Sequence, residues 1–273
     1  MVKKVTKQLK GGELLKSLQG KIAIVTGASR SGGIGSAICL ALAEAGADVF
    51  FTHYRAFDQL EGNGEEPEWP DILCEKMKQL GVRSNHMEAD LSDPEMPIAM
   101  LEQIEKTLGT PSILINNATY ELRADFRSLN NAILDKHYKV NNSGTIFLSL
   151  EFAKRFEQVY PGQKDGRIIY LVSGGPDPTN LAYIATKGML IAITEPLAVA
   201  LAPIGITVNS LNPGPTDSGW MDEELKKQFI PLFPMGRVGT PQDAANVLTF
   251  LASDESGWMT GQHLKSDGGF LGK

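Results

Sequence analysis

Cysteine is nearly absent: the 273 residues contain two, Cys39 and Cys74, with no Cys-x-x-Cys pair and no Cys/His ligand spacing. Two isolated thiols build neither a disulfide framework nor a metal site, and they fit a reducing, cytoplasmic setting. An excess of positive charge is missing as well, since 26 Lys and Arg face 32 Asp and Glu for a net charge of −6. A surface that tracks a phosphate backbone needs the opposite balance, so no nucleic-acid partner is expected. Long apolar runs are lacking too. The longest uncharged stretch, Pro196 to Thr216, is broken by Pro196, Pro203, Pro213 and Pro215, which a lipid-spanning helix does not tolerate, so no membrane partner is expected. The basic opening MVKKVTKQLKGGELLKSLQG has no apolar core of the signal-peptide kind and reads as a loosely ordered arm over residues 1–19.

What remains is the composition of a folded body: 42% hydrophobic and 21% charged residues, enough to bury a sizeable core. Strand-length runs, most of them rich in Val, Ile, Leu or Phe, recur at KIAIVTG, ADVFFTH, RSNHMEAD, SILINNA, GRIIYLVS, GITVNSLNPG and GQHLKSDGG, with helix-length segments between them. Continuous apolar strands alternating with helices predict a parallel sheet covered on both faces. The expectation is therefore an α/β fold, a single doubly wound Rossmann-type domain over residues 20–273 with a seven-stranded parallel sheet. No internal repeat or linker divides it. Ala56 to Asp71, AFDQLEGNGEEPEWPD, carries six acids and no base and reads as an acidic loop, either a flap over a ligand or a solvated insertion.

The first strand runs into Thr26-Gly27-Ala28-Ser29-Arg30-Ser31-Gly32-Gly33-Ile34-Gly35 and then into a helical apolar pattern. A strand, a glycine-rich turn and a helix start bring free N–H groups and the positive end of a helix dipole to one point, where a phosphate binds. Gly27 permits the tight turn, Gly33 the close approach of a pyrophosphate, and Gly35 tight helix packing; Ser29, Arg30 and Ile34 belong to the same loop. The second strand ends in Thr52-His53-Tyr54-Arg55, without the carboxylate that usually receives an adenosine ribose. Arg30 and Arg55 are instead available for a ribose 2′-phosphate, which favours NADP(H) over NAD(H).

Tyr183 and Lys187 stand four apart in the helical LAYIATKGMLIAIT, so their side chains leave one face. A neighbouring ammonium favours the phenolate, and the tyrosine pKa is expected to fall toward the working range. Ser173 closes the strand GRIIYLVS just upstream, at the carboxyl edge of the sheet where ligands bind.

With these motifs in order, the chain resembles the short-chain dehydrogenase/reductases, and within them the 3-ketoacyl-(acyl-carrier-protein) reductase-like branch, over roughly Gly20 to Phe270. The resemblance also rests on Asp90, Asn116-Asn117-Ala118, Asn141 in KVNNSG, Pro213-Gly214 with Thr216, and Asp267-Gly268-Gly269. It implies that Tyr183 is the general acid in ketone reduction and that Ser173 bonds the substrate oxygen. Lys187 would hold the nicotinamide ribose, and Asn141 would anchor a water in the proton relay. Asp90 and Leu91 would flank the adenine, Asn117 and Ala118 would line the ribose, and Pro213, Gly214 and Thr216 would meet the nicotinamide end.

Three departures from the family pattern stand out. The turn holds two extra residues, Thr119 replaces the usual glycine, and only ten residues separate Ser173 from Tyr183. The segment after Pro213 reads as a lid with Trp220, Met221, Phe229, Phe233 and Met235 on its inner side, which suits an apolar or acyl carbonyl substrate. The helix from Tyr183 to Pro203 is apolar nearly all round and asks for a subunit contact, and with the family's habit this predicts a homotetramer. A sugar or polyol dehydrogenase shares the same motifs. Enoyl reduction fits less well, because relatives specialised for it have wider Tyr-to-Lys spacing, and a catalytically silent dinucleotide sensor would not need Tyr183.

Overall fold

In the computed structural model, which describes residues 17–60 and 64–272, seven strands form one sheet: β1 Ile22–Val25, β2 Asp48–His53, β3 Ser84–Glu88, β4 Ile113–Asn116, β5 Gly166–Leu171, β6 Ile206–Asn212 and β7 His263–Lys265. Their order is β3-β2-β1-β4-β5-β6-β7, and every pairing is parallel. All seven runs read from the sequence are strands. The helices are α1 Ile34–Glu44, α2 Arg55–Leu60, α3 Trp69–Gln79, α4 Met96–Thr107, α5 Asn131–Tyr138, α6 Thr145–Val159, α7 Leu181–Leu201, α8 Glu223–Phe229 and α9 Pro241–Ala252.

Alternation along each strand divides the buried side chains between two cores. Ala23, Val25, Ile113, Ile115, Ile169 and Leu171 face one side, with Ile38 and Leu42 of α1, Leu73 and Met77 of α3, and Leu248 and Leu251 of α9. Ile24, Leu114, Ile168 and Tyr170 face the other, with Leu101 of α4, Phe152 and Phe156 of α6, and Leu190 and Leu197 of α7. Two-sided burial is why these strands read as unbroken apolar runs rather than as alternating ones. Leu18 is fully buried in the first core and its N–H donates to the Ala45 carbonyl at 2.9 Å. The folded body thus includes Leu18, part of the expected arm; residues 1–16 of that arm lie outside the described residues.

Two expectations need correction. Ala56 to Asp71 is not a continuous loop: its first part belongs to α2 and its last residues to α3. Phe57 packs edge-on against Tyr120 at 5.6 Å between ring centres, and Asp58 is 6% exposed, so contacts invisible in a charge count hold this segment helical. The turn through Leu201 to Ile204 completes a segment long and apolar enough to cross a membrane, which proline counting missed. In the fold α7 is a sheet-covering helix, with Leu190, Leu197 and Ala198 packed on the core and Pro196 inside it without ending it.

Candidate active site

The strand order reverses between β1 and β4, and the crevice at their carboxyl ends is where an open α/β sheet binds ligands. The chain stitches that edge together. Thr26 Oγ1 accepts from the N–H groups of Asn117 at 3.1 Å and Ala118 at 3.0 Å, and the Asn117 amide donates to the carbonyls of Thr26 at 2.9 Å and Gly27 at 2.7 Å. Asn117 therefore acts as a tie between β4 and the glycine-rich turn. Gly27 has φ +76°, and a Cβ on Gly35 would lie 2.2 Å from the Gly27 carbonyl oxygen. Both glycines are required, one by conformation and one by contact.

Beyond Gly33 the first turn of α1 has no side-chain cap and no acidic residue. Its leading N–H groups have no intrahelical acceptor, so this end presents donors and positive potential. That donor set fits the pyrophosphate of a nicotinamide dinucleotide. At the carboxyl end of β2, Ser29 Oγ accepts from the Tyr54 N–H at 3.2 Å. Arg30 reaches Asp58 of α2, with Nε 3.4 Å from its Oδ1. Burial pushes the Asp58 carboxyl up, opposed by a hydrogen bond from Ser29 and the Arg30 charge. Arg55 does not join Arg30: it lies on the surface and pairs with Glu88 at 2.9 Å. The sequence placed both arginines on one phosphate; the structure brings only Arg30 to the turn.

Asp90 accepts from Ser92 and lies 3.4 Å from Lys136; burial raises the Tyr54 pKa and Asp90 adds to the rise. Leu91 is buried, and its carbonyl would lie 2.1 Å from a Cβ on Gly144, so its side of the site is set by backbone packing. Pro213, Gly214 and Thr216 follow β6, where Thr216 Oγ1 donates to the Gly214 carbonyl at 3.2 Å and Trp220 Nε1 to the Thr216 carbonyl at 2.7 Å. Of the lid residues, Met221 and Phe233 are buried, whereas Trp220 and Met235 are exposed.

Ser173, Tyr183 and Lys187 converge at the ends of β5 and α7. Ser173 acts on the Tyr183 phenol as a side-chain partner that opposes the rise in its pKa, so the two hydroxyls lie near one another. Lys187 is 3% exposed; its ammonium donates to the Leu171 carbonyl at 2.8 Å and sits 5.6 Å from the centre of the Tyr183 ring. Burial lowers the Lys187 pKa to about 8, against a smaller rise from Glu121. Burial raises the Tyr183 pKa, Glu121 adds to the rise, and Ser173 opposes it. This corrects the expected fall: burial, and not the ammonium four residues on, sets the direction.

Asn141 lies in a π-helical turn, Lys139–Gly144, between α5 and α6. Its amide donates to the Tyr120 carbonyl at 2.9 Å and to Thr186 Oγ1 at 3.0 Å, and its Oδ1 accepts from the Tyr120 N–H at 2.7 Å. The side chain is thus spent on fastening the loop after β4 to α7. A π-bulge at this point of a helix is a common mark of a functional site.

The sequence reading missed Glu121 and Asn180. The loops after β4 and β5 meet through an Ala124–Asn180 bridge, and there the Asn180 amide donates to Glu121 at 2.5 Å. Glu121 acts electrostatically on Tyr183, Lys187 and His137. The one available signal was an acid five residues beyond the end of β4.

A family model described as Enoyl-(Acyl carrier protein) reductase matches residues 27–271. The chain is 46% identical to the uncharacterized oxidoreductase YjdA of Bacillus subtilis, over 93% of this chain and 98% of that one. It is 32% identical to an L-rhamnose 1-dehydrogenase (NADP(+)) of Thermoplasma acidophilum, covering 93% and 97%. It is 34% identical to the 3-oxoacyl-[acyl-carrier-protein] reductase FabG of Staphylococcus aureus, covering 91% and 97%. Among solved structures, a short-chain dehydrogenase/reductase from Serratia marcescens superposes with a TM-score of 0.81 at 30% identity, covering 93% and 99%.

Proposed function

The chain belongs to the short-chain dehydrogenase/reductase family, an oxidoreductase family, and from that premise we propose that it transfers a hydride between NADP(H) and a carbonyl or alcohol carbon. The preferred direction is reduction of an apolar ketone or 3-ketoacyl thioester. The observation that carries this reading is the Tyr183 phenol with Ser173 as its side-chain partner and a buried Lys187 ammonium 5.6 Å from its ring centre, at the sheet edge where dinucleotides bind. The turn from Gly27 to Gly35, with Ser29, Arg30, Gly33 and Ile34, would hold the pyrophosphate and adenosine end. Asp90, Leu91, Asn117 and Ala118 would border the adenosine and ribose, Lys187 the second ribose, and Pro213, Gly214 and Thr216 the nicotinamide. Bound there, the dinucleotide supplies or accepts the hydride.

The remaining work falls to the chain itself. Charge develops on the substrate oxygen as the carbon is reduced, and donors fixed there beforehand lower the barrier. The Ser173 hydroxyl and Tyr183 phenol are those donors. A phenol with a raised pKa is fully protonated at neutral pH, which suits it to give its proton to a forming alkoxide. Lys187 keeps a positive charge beside the ring and favours the phenolate left behind. Asn141 holds the loop after β4 against α7 and so fixes the distance between the two walls of the site.

For the substrate, exposed Trp220 and Met235 on the lid support an apolar or acyl group, in line with the FabG relative. Glu121 supports a second reading, a sugar or polyol dehydrogenase, because a carboxylate beside the reacting centre accepts bonds from substrate hydroxyls. The L-rhamnose relative agrees with it, and its name also supports NADP(H). The exposed apolar residues Met189 and Val199 of α7 support a homotetramer, and buried free thiols support a cytoplasmic protein. The deciding experiment follows NADPH and NADH oxidation with ketones, 3-ketoacyl thioesters and keto sugars, and the reverse reaction with polyols, in wild type and Tyr183→Phe. Turnover should fall by about 10²- to 10⁴-fold in the variant, with dinucleotide affinity nearly unchanged. Equal turnover in both proteins refutes the assigned chemistry, and the preferred substrate separates the two readings.

A further inference from the structure

The acidic segment between β2 and α3 has no part in the chemistry above, yet it contacts the two features of the glycine-rich turn best suited to a phosphate. Glu66 lays its carboxylate across Ser31: Oε2 accepts from the Ser31 N–H at 3.0 Å and Oε1 from the Ser31 hydroxyl at 3.1 Å. A carboxylate on a backbone N–H and a hydroxyl of such a turn occupies donors that a phosphate oxygen would use. Asp58 meets the Arg30 guanidinium, Nε to Oδ1 3.4 Å, with 8% of its side chain exposed. Arg30 is held on its other side by the Ser218 carbonyl, 3.5 Å from Nη1.

This arrangement is anchored. Trp69, at the start of α3, donates from Nε1 to Ser36 Oγ at 2.8 Å, and Ser36 donates in turn to the Arg30 carbonyl at 2.6 Å. The α3 end of the segment is thereby tied to the turn itself. Ser29, Arg30 and Asp58 meet just past the end of β2, the place where a dinucleotide presents its adenosine ribose. A 2′-hydroxyl donates readily to a carboxylate there. A 2′-phosphate brings close to two negative charges against Asp58 and Glu66 and must compete with Asp58 for Arg30.

Resting on the dinucleotide reading above, we propose that Asp58 and Glu66 are specificity-determining residues that act against a ribose 2′-phosphate. They hold the preference of this site for NADP(H) over NAD(H) below what Arg30 alone would give. The segment between β2 and α3 supplies, through the Asp58–Arg30 ion pair and the Glu66–Ser31 hydrogen bonds, the restraint that other dinucleotide sites place in the last residue of the second strand.

The test measures equilibrium binding by calorimetry for full-length wild type, Asp58→Asn, Glu66→Gln and the double variant. The ligands are NADPH, NADH, adenosine 2′,5′-bisphosphate and 5′-AMP. In the double variant the two 2′-phosphorylated ligands should tighten about tenfold, with NADH and 5′-AMP changed less than twofold, a difference of about 1.4 kcal/mol. The surface variant Glu66→Gln should deliver part of that gain, about threefold, and does not disturb a buried side chain. An unchanged ratio of NADPH to NADH affinity across all variants, with both still bound, overturns this proposal alone. Wild type that binds neither dinucleotide overturns the dinucleotide reading with it.

Discussion

Replacing Lys187 by Met should make the free protein more stable at neutral pH while removing its activity. The ammonium is 3% exposed, and its pKa is lowered from 10.5 to about 8 because burial penalises the charged form. A lysine depressed in the folded state binds fewer protons there than in the unfolded chain wherever the pH lies between the two values. Stability therefore rises with pH across that window, and below it the full penalty stands. From 10.5 to about 8 the penalty is about 3 kcal/mol at pH 7. Methionine has a similar length and no charge, so it escapes this term. Against that gain, the Leu171 carbonyl loses its donor at 2.8 Å, which costs about 1 to 3 kcal/mol. The net change at pH 7 is a stabilisation of about 1 kcal/mol.

The pH dependence is the sharper test. Between pH 7 and 9.5 wild type should gain about 2 kcal/mol on the variant, since the Leu171 carbonyl term is present at both values and other groups titrate in both proteins. Urea unfolding at fixed protein concentration reads this directly from paired midpoints. A wild-type-minus-variant difference that stays flat from pH 7 to 9.5 refutes the account. So does a variant several kcal/mol less stable at pH 7. The expected result would mean that the fold holds a costly buried cation where only the reaction benefits from it, the usual sign of a functional site.

Two further predictions concern the scaffold. Thr240 and Asp243 form a reciprocal cap on α9, and Arg237 holds the Asp243 carboxyl below the ordinary carboxylate range. Asp243→Asn should cost about 1 kcal/mol and lower the melting temperature by about 2 to 4 °C. Because that pKa is depressed, the deficit should be constant above the ordinary value of 3.8 and shrink only as the pH falls below it; a deficit that disappears already at pH 6 contradicts the assignment. Gly35→Ala forces a methyl to within 2.2 Å of the Gly27 carbonyl and 2.8 Å of the Asn117 amide, which must open the turn. Dinucleotide binding by calorimetry should be lost, at about 1 to 3 kcal/mol of stability, and retained binding at wild-type affinity would show that the turn does not hold the phosphates.

The parts of this protein legible in the sequence are those fixed by local rules. Strands buried on both faces must be apolar throughout, so IAIV and ILIN announce themselves. A turn of glycines between a strand and a helix, and a Tyr and Lys one helical turn apart, carry their geometry with them. What stayed hidden depends on partners far along the chain. Glu66 and Ser31 are 35 positions apart, and Glu121 and Asn180 are 59 apart; each pair meets only because strand order brings two loops to one edge. The same cause explains the two misjudged charges. Counting residues near Arg55 and Arg30 suggested a paired phosphate site, but β3 sets Glu88 beside His53 in register and so delivers a partner to Arg55. α2, which sequence composition read as a loop, delivers Asp58 to Arg30. The Tyr183 pKa is an environmental quantity too, since its dominant cause is burial in the fold rather than the lysine four residues on. Charge in this chain is therefore interpretable only after topology. The acidic segment, bland as composition, carries the proposed role in cofactor choice only because the sheet places it against the turn.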